Sequence, residues 1–480
     1  MDQRIDLPDL GDDDNALLTR LLKAINGKSH FHRTVDAFYD AEKNLRATIG
    51  GTIPPQYFNL GLILGWTAKA VDALGRRCHL DRMVWPDGDL GSLGFRELWD
   101  DNRLGSEVDQ GITSGLIHAV SFAVASRGWP GEPDALIHFY DASDATGDWN
   151  PRTRRLENLL VVNEWDGRRA LSITAYLRDR TVTGVLDDGR WSSEVSEHQF
   201  GVPAAPMAYR PRLKRPFGRS RISRPLRGLQ LAATRSLVRL EGHSDVYSYP
   251  EFWMLGADPS IFKNEDGSPT DALQVMLGRI KGIPDDQDEP EPSLARADVK
   301  KFDATNPTPH LASLNAIAKL FAREANLPDV AVAITDLSNP TSAESYDASQ
   351  YELIAEAEGA QDEWSPALRH VVQVALAMKN GESGVPDAYR SIDTEWRDAR
   401  YETRAARADA GLKQLTAAPE LQGTEVGYEL LGLSDQQIKR VQSDVRRRES
   451  RRALDALAAA VPSPGDRMPA GSSAGSPGAE

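Results

Sequence analysis

Only one cysteine, Cys78, occurs in the chain, so no intrachain disulfide can form and packing has to supply the stability. Long apolar runs are missing as well. The longest candidate, residues 60–66, falls far short of the ~20 residues that a membrane helix needs. The acidic opening MDQRIDLPDLGDDDN lacks the basic-then-apolar order of a secretory leader. These absences point to cytosolic synthesis and to no membrane partner. An excess of base is absent too: against 56 Lys and Arg stand 71 Asp and Glu, a formal net charge of −15. Proteins that grip duplex DNA are ordinarily basic, because phosphate neutralisation drives the affinity. The chain is not of that kind, although it could present a surface past which DNA slides.

What is present suits a large folded protein. At roughly 100–200 residues per domain, 480 residues make two to four structural units with a sizeable core. The 40% hydrophobic and 26% charged content places most of it among folded chains, and 29 prolines with 38 glycines imply frequent turns.

Periodicity divides the chain. Residues 1–14 read as a loose acidic arm. Helical spacing follows at 16–25 and 34–47, is broken at Gly50-Gly51 and Pro54-Pro55, and resumes over 57–77. Short helices are expected at 95–102 and 104–116, and strands at 119–126 and 135–142. The clearest β signal spans 159–191, where Asp166-Gly167 and Asp188-Gly189 each separate two extended runs and predict a β-meander. A proline- and arginine-rich connection follows over 192–224. Helices are expected at 226–245 and 309–325, with Thr308 as N-cap and Pro309 in the first turn. Between them lies an irregular, proline-broken segment carrying the acidic run DDQDEPE at 285–291. Beyond Pro328 a short polar stretch leads to Thr341-x-x-Glu344, a capping box, and to an apolar stripe through Tyr351, Ile354, Trp364, Leu368, Val371, Val372 and Ala375. Gly359 and Pro366 inside the stripe predict bends without termination. About 36 residues at 1.5 Å each span ~54 Å, long enough to tie separate parts of a subunit together. Helices at 396–415, 425–431 and 435–460 and a Pro/Gly/Ser/Ala tail complete the chain.

Catalytic and ligand-binding motifs fare poorly. Gly27-Lys28-Ser29 resembles the end of a phosphate-binding loop, but the motif requires glycine at position 22, which is Leu22. It reads as a polar turn between helices. His30 and His32 have no partner pair at zinc-site spacing. No H-E-x-x-H or C-x-x-C occurs, and no G-x-S-x-G elbow between a strand and a helix: the string Gly471-Ser472-Ser473-Ala474-Gly475 belongs to the low-complexity tail. Neither a catalytic residue nor a cofactor or metal is expected. Three charge clusters remain. Arg210, Arg212, Lys214, Arg215, Arg219, Arg221, Arg224 and Arg227 form a run without an acid, which could face a phosphate or a partner, or could be a solvated helix entry pairing with acids elsewhere. The acidic run at 285–291 could be a docking surface or a solvated loop. Arg440, Arg446, Arg447, Arg448, Arg451 and Arg452 lie on one helix that also carries Asp444 and Glu449.

The order of elements says more than any one motif. VDALGRRCHLDRMVWPDG followed by FRELWDDNRLGSEVDQGITSGLIHAVSFAVAS, then RPFGRSRISRPLRGLQLAATRSLVRLEGHSDVYSYPEFWMLGAD, NPTSAESYDASQYELIAEAE, IDTEWRDARYETRAARADAGLKQL and YELLGLSDQQIKRVQSD occur in that order. Over about residues 35–450 this resembles the portal proteins of tailed double-stranded DNA bacteriophages, and more narrowly those of actinobacterial siphophages.

The resemblance implies a mainly helical α+β subunit: an N-terminal arm (1–30), an α/β wing with a β-meander (31–221), stem helices (222–246 and 309–328) around a small clip (247–308), a tunnel loop (329–341), a kinked spine helix (342–380), a helical crown (381–461) and a disordered tail (462–480). It also implies a ring of twelve copies at one capsid vertex of the virion, assembled in the host cytoplasm. A terminase large subunit would pump double-stranded DNA through this ring, and the DNA would later be ejected through it. Further implied partners are the major capsid protein, the scaffold and a head-tail adaptor. On that reading Asp336, Ser338, Asn339 and Thr341 would brush the duplex, Lys319 and Arg323 would touch phosphates from the stem, and the basic run from Arg210 would lie at the stem entry. From the residues alone, a non-viral multi-helix scaffold without a closed ring, or an enzyme with an unrecognised site in the α/β half, stays open.

Overall fold

Residues 3–42, 63–247, 251–255, 280–283, 298–302, 306–333, 348–400 and 404–460 are described by the structure, a computed structural model. The acidic opening is not loose. Helix α1 (Asp12–Tyr39) begins with Asp12, Asp13 and Asp14 in its first turn, where the helix dipole favours negative charge. Leu18, Leu21, Leu22 and Ile25 form its buried stripe, and the segment before it buries Ile5 and Leu7 beside them. Asn15 staples the two together: its Oδ1 accepts from Leu7 N at 2.8 Å, and its Nδ2 donates to Leu7 O at 3.1 Å. Gly27-Lys28-Ser29, expected as a turn between helices, lies inside α1, because the stripe on its other face holds the helix together. Residues 43–62, with the Gly-Gly and Pro-Pro breaks, lie outside the described residues.

Helix α2 (Trp66–Gly75) leads to strand β1 (Leu80–Val84), then to α3 (Phe95–Asp101) and α4 (Leu104–His118). Strands β2 (Val120–Arg127) and β3 (Ala135–Asp141) form where alternation predicts them. The meander is longer than expected: β4 (Ala145–Asn150), β5 (Arg155–Asp166), β6 (Arg169–Tyr176), β7 (Arg180–Asp187) and β8 (Arg190–Glu197) pair in sequence order. Residues 192–197, expected as connection, complete β8. Asp188 and Gly189 both take positive φ, 46° and 78°, as a type I′ hairpin turn requires. At the other hairpin Gly167 turns at φ 61° while Asp166 already pairs with Arg169. Strand β9 (Ala204–Ala208), which no alternation announced, pairs with β2 in a β3-β2-β9 sheet.

Side-chain alternation makes these sheets into layers. Leu160 and Val162 of β5 face α1, whereas Leu159 and Val161 face Phe122 and Val124 of β2. The opposite face of the three-stranded sheet, Ala123, Ala125, Ile137 and Met207, joins α4 and a later long helix in the largest core.

Helices α5 (Arg224–Tyr247) and α6 (Thr308–Glu324) form an antiparallel pair, with the His243 ring near the end of one tilted against the His310 ring near the start of the other, centroids 5.0 Å apart. Helix α6 starts at Thr308 itself; Asn306 Oδ1 accepts from its N–H at 2.9 Å, so the N-cap expected of Thr308 falls before it. Between the helices, the backbones of β10 (Glu251–Leu255), β11 (Ile280–Ile283) and β12 (Asp298–Phe302) pair in the order β11-β10-β12. The acidic run 285–291 and the capping box at Thr341 lie outside the described residues.

Helix α7 (Tyr351–Lys379) is the long helix of the large core. It runs 29 residues, roughly 44 Å, unbroken through Gly359 and Pro366. Pro366 removes one backbone donor from the ladder. Beside it Ser365 donates Oγ–H to Gln361 O at 2.7 Å and takes the Trp396 indole N–H at 2.8 Å. Trp396 belongs to strand β13 (Asp393–Trp396), which pairs antiparallel with β1. Residues 393–396 are therefore extended where 396 was expected to open a helix. The first compact unit runs to Ala399, beyond the boundary expected near 381. The second unit, from Arg400, contains α8 (Arg404–Ala417), α9 (Glu425–Leu430) and α10 (Asp435–Ala460), with the Thr424 hydroxyl capping α9 by accepting from Gly427 N at 3.1 Å. Residues 461–480 lie outside the described residues. In coarse form the expected fold holds: a mixed α/β chain in which helices predominate.

Candidate functional site at the root of the helix pair

The start of α5 and the end of α6 meet at one buried ion pair. Arg221 sits three residues before α5, and its side chain is 4% exposed. Its Nε donates to Ala70 O of α2 at 2.8 Å, and its Nη2 donates to Ala325 O, just past α6, also at 2.8 Å. Its Nη1 donates to the Tyr209 hydroxyl at 2.8 Å and to Glu356 Oε1 of α7. Four elements thus converge on one guanidinium, whose planar fork suits several fixed acceptors at once.

Glu356 is the matching anion, also 4% exposed. It accepts from Arg221, from the Tyr209 hydroxyl, from Arg210 Nη2 at 2.9 Å and from Asn326 Nδ2 at 3.0 Å. Burial alone would raise its pKa, but Arg221, Tyr209, Arg210 and Asn326 together hold it below the ordinary glutamate value. Burial, with Glu356 beside it, pushes the Tyr209 phenol up to about 12. A buried pair saturated this way is rigid, because breaking either half strands a charge away from water. The arrangement is a mechanical joint between the helix pair, the long helix and the sheet core.

The eight basic residues expected at the helix entry do not share one surface. Arg221 is interior, and Arg210 is drawn to Glu356. Arg227 is half-buried over the Phe38 ring at 5.9 Å, its Nε sealed without a hydrogen-bond partner and its pKa lowered by that burial. Arg212, Lys214, Arg215, Arg219 and Arg224 are exposed. Lys319 and Arg323 are exposed on α6. Asp336, Ser338, Asn339 and Thr341 lie outside the described residues. Glu356, Tyr209 and Asn326 were not anticipated. Glu352, Glu356 and Glu358 look alike in sequence, and only an acid-free arginine run elsewhere hinted that a buried acid must exist.

A second polar joint was also missed. His32, expected in a turn, is buried within α1, its Nδ1 3.0 Å from that of His118 at the end of α4. His118 Nε2 lies 2.9 Å from Asp36 and 3.2 Å from Asp141. Burial opposes its charge, yet the two carboxylates raise its pKa, whereas burial and the neighbouring His118 lower His32 to about 4. A charged His118 donating to a neutral His32 satisfies the contact.

The family model described as "Phage portal protein, SPP1 Gp6-like" matches residues 13–443, and the chain belongs to that family. A portal protein of Mycobacterium phage D29 is 26% identical over 404 residues, covering 82% of this chain and 80% of its own. A portal protein of Mycobacterium phage L5 is 26% identical over 387 residues, covering 78% and 77%. The resemblance to portals of actinobacterial siphophages therefore holds. Among solved structures, a chain of "Neck of empty GTA particle computed with C6 symmetry" aligns over 76% of this chain and 89% of its own at 13% identity, with a TM-score of 0.37.

Proposed function

We propose that this portal subunit closes into a ring of about twelve copies at one capsid vertex, and that α5 and α6 form the stem around a central DNA tunnel. The observation that carries the reading is the Arg221–Glu356 joint in a chain of the portal family: it roots one end of an antiparallel helix pair in a layered α/β body. Heterologous contacts that close on themselves make rings, and many subunits could then share one axial channel.

On this reading the body is the wing and the unit from Arg400 the crown. Lys319 and Arg323, exposed on α6, offer weak phosphate contacts inside a predominantly acidic protein, so DNA passes without the counterion release that makes binding tight. Residues 329–341 narrow the channel, and the polar Asp336, Ser338, Asn339 and Thr341 brush the duplex. A terminase large subunit drives DNA in, the capsid protein and scaffold surround the ring, and an adaptor joins it to the tail.

Negative-stain images and native mass spectrometry of the purified chain test the ring: an axial hole is expected, and a stable monomer at high concentration overturns it. Replacing residues 335–341 by a Gly/Ser linker should leave rings intact but reduce packaged or retained DNA. Normal packaging by that variant removes the loop from the mechanism.

A further inference from the structure

Between β9 and α5 the chain makes an excursion of which the joint uses only the first residue, Arg210. After Tyr209 the backbone turns outward at Arg210, in the left-handed region at φ 49°, and returns at Gly218, φ 66°. Arg212 and Arg215 exchange backbone hydrogen bonds of 3.0 and 2.7 Å, closing a tight turn over Leu213 and Lys214. The result is a finger whose tip, Leu213, is 103% exposed, with Arg212, Lys214 and Arg215 exposed around it.

The finger is firmly held. Arg210 N donates to Glu363 at 2.9 Å and its guanidinium reaches Glu356, while Arg219 N donates to Tyr209 O at 2.9 Å. A Cβ on Gly218 would lie 2.1 Å from Tyr209 O, so only glycine permits this return. A rigid, fully exposed leucine among cations, with no acid from 210 to 219, is preorganised for a partner that is apolar at its centre and acidic at its rim.

The chain carries such a surface elsewhere. Residues 85–101 hold five acids and one base, and Asp87, Glu97, Asp100 and Asp101 are exposed. Between them Trp85, Leu90, Leu93 and Phe95 are only partly buried. Arg96 is answered locally by Asp100 at 3.7 Å. This face sits at the C-terminal end of α7, where Asn380 Nδ2 donates to Leu93 O at 3.3 Å. The finger sits beside Glu356 and Glu363, roughly 24–36 Å back along the same helix. Two complementary surfaces at opposite ends of one rigid rod cannot meet within a subunit; they can meet between copies.

We propose that the finger at 210–219 docks, Leu213 first, on the acidic aromatic face at 85–101 of the next copy of this chain, making a head-to-tail contact that propagates the ring. The contact rests on the ring reading above.

The test uses the full chain with a benzophenone amino acid in place of Leu213, together with charge reversals. Irradiated rings should give cross-links that mass spectrometry maps to residues 85–101 of another copy. The triple variant Arg212→Glu, Lys214→Glu, Arg215→Glu should raise the concentration needed for ring assembly by about tenfold or more, since like charges now face each other. Asp87→Lys with Asp100→Lys and Asp101→Lys should do the same, and combining the two sets should restore assembly. Thermal unfolding of each variant, close to that of the parent chain, guards against misfolding. Wild-type rings together with unimpaired rings of the finger variant overturn the contact and leave the ring standing, as do cross-links mapped only to DNA or to other segments. A parent chain that never leaves the monomer overturns both.

Discussion

Arg221 and Arg215 stand six residues apart in one acid-free basic run, and their surroundings are opposite. Arg221 is sealed in the interior, with Glu356, Tyr209 and two backbone carbonyls consuming its donors. Arg215 stands in solvent on a turn capped by a fully exposed leucine. The difference teaches that a charge run is not one functional object. Where the chain passes under a helix pair, a cation becomes a joint; where the same chain loops outward, it becomes a surface. The first role should be read out in stability, and the proposed second one in association.

The largest effect that can break this contrast is loss of the buried cation. Arg221→Met takes the buried cation from the Glu356 carboxylate and leaves it only the half-exposed Arg210 as counter-charge, and an equilibrium denaturation curve should show a loss of about 3 kcal/mol. The pair Arg221→Met with Glu356→Met should cost less than Arg221→Met alone, because no buried charge is then left unpaired; Arg210, which loses Glu356, is exposed enough to turn to water. If the double variant is the worse of the two, the joint stabilises through more than charge satisfaction.

Acid titration sharpens the same point with a smaller signal. The folded pKa of Glu356 lies below its ordinary value of 4.5, so its contribution is present above the unfolded value and is lost as pH falls through the folded one. Stability followed from pH 7 downward should therefore fall more steeply in the parent than in Glu356→Gln. Asp144 and Glu363, whose burial raises their pKa values, act in the opposite sense but are common to both proteins and cancel in the difference.

Tyr209→Phe removes one hydroxyl from a carboxylate that keeps three other donors, and about 1–2 kcal/mol is expected from thermal or chemical unfolding. The smallest effect belongs to the finger. Leu213→Ser should change subunit stability by no more than about 0.5 kcal/mol, as surface changes ordinarily do. A loss comparable to that of Tyr209→Phe would show that the finger is part of the body after all.

Much of the body was legible because its signals are local. Alternation over 159–191 and the two Asp-Gly turns announce the meander, and the stripe from Tyr351 to Ala375 announces α7. The failures share a different cause. The opening segment looked loose because its acids hide an apolar alternation, Ile5 and Leu7, that matters only once a sheet lies beneath it. Gly27-Lys28-Ser29 looked like a turn because the stripe that keeps α1 helical runs along its other face. Strands β1 and β13 are more than 300 residues apart in the chain, and β13 takes its extended form from its partner across the pair. Of the site, the arginines could be found in sequence, but Glu356 could not be told from Glu352 or Glu358.

By itself the sequence determined the elements whose pattern repeats within a few residues, the acidic balance that argues against a tight grip on DNA, and the order of segments that marks a portal. Tertiary structure alone decided which cation is buried, which acid answers it, and which loop projects. The reason is physical: periodicity is set by bonds along the chain, whereas burial and ion pairing are set by what the fold brings across from distant positions, and a charge has no preference for one opposite charge over another until desolvation and geometry choose.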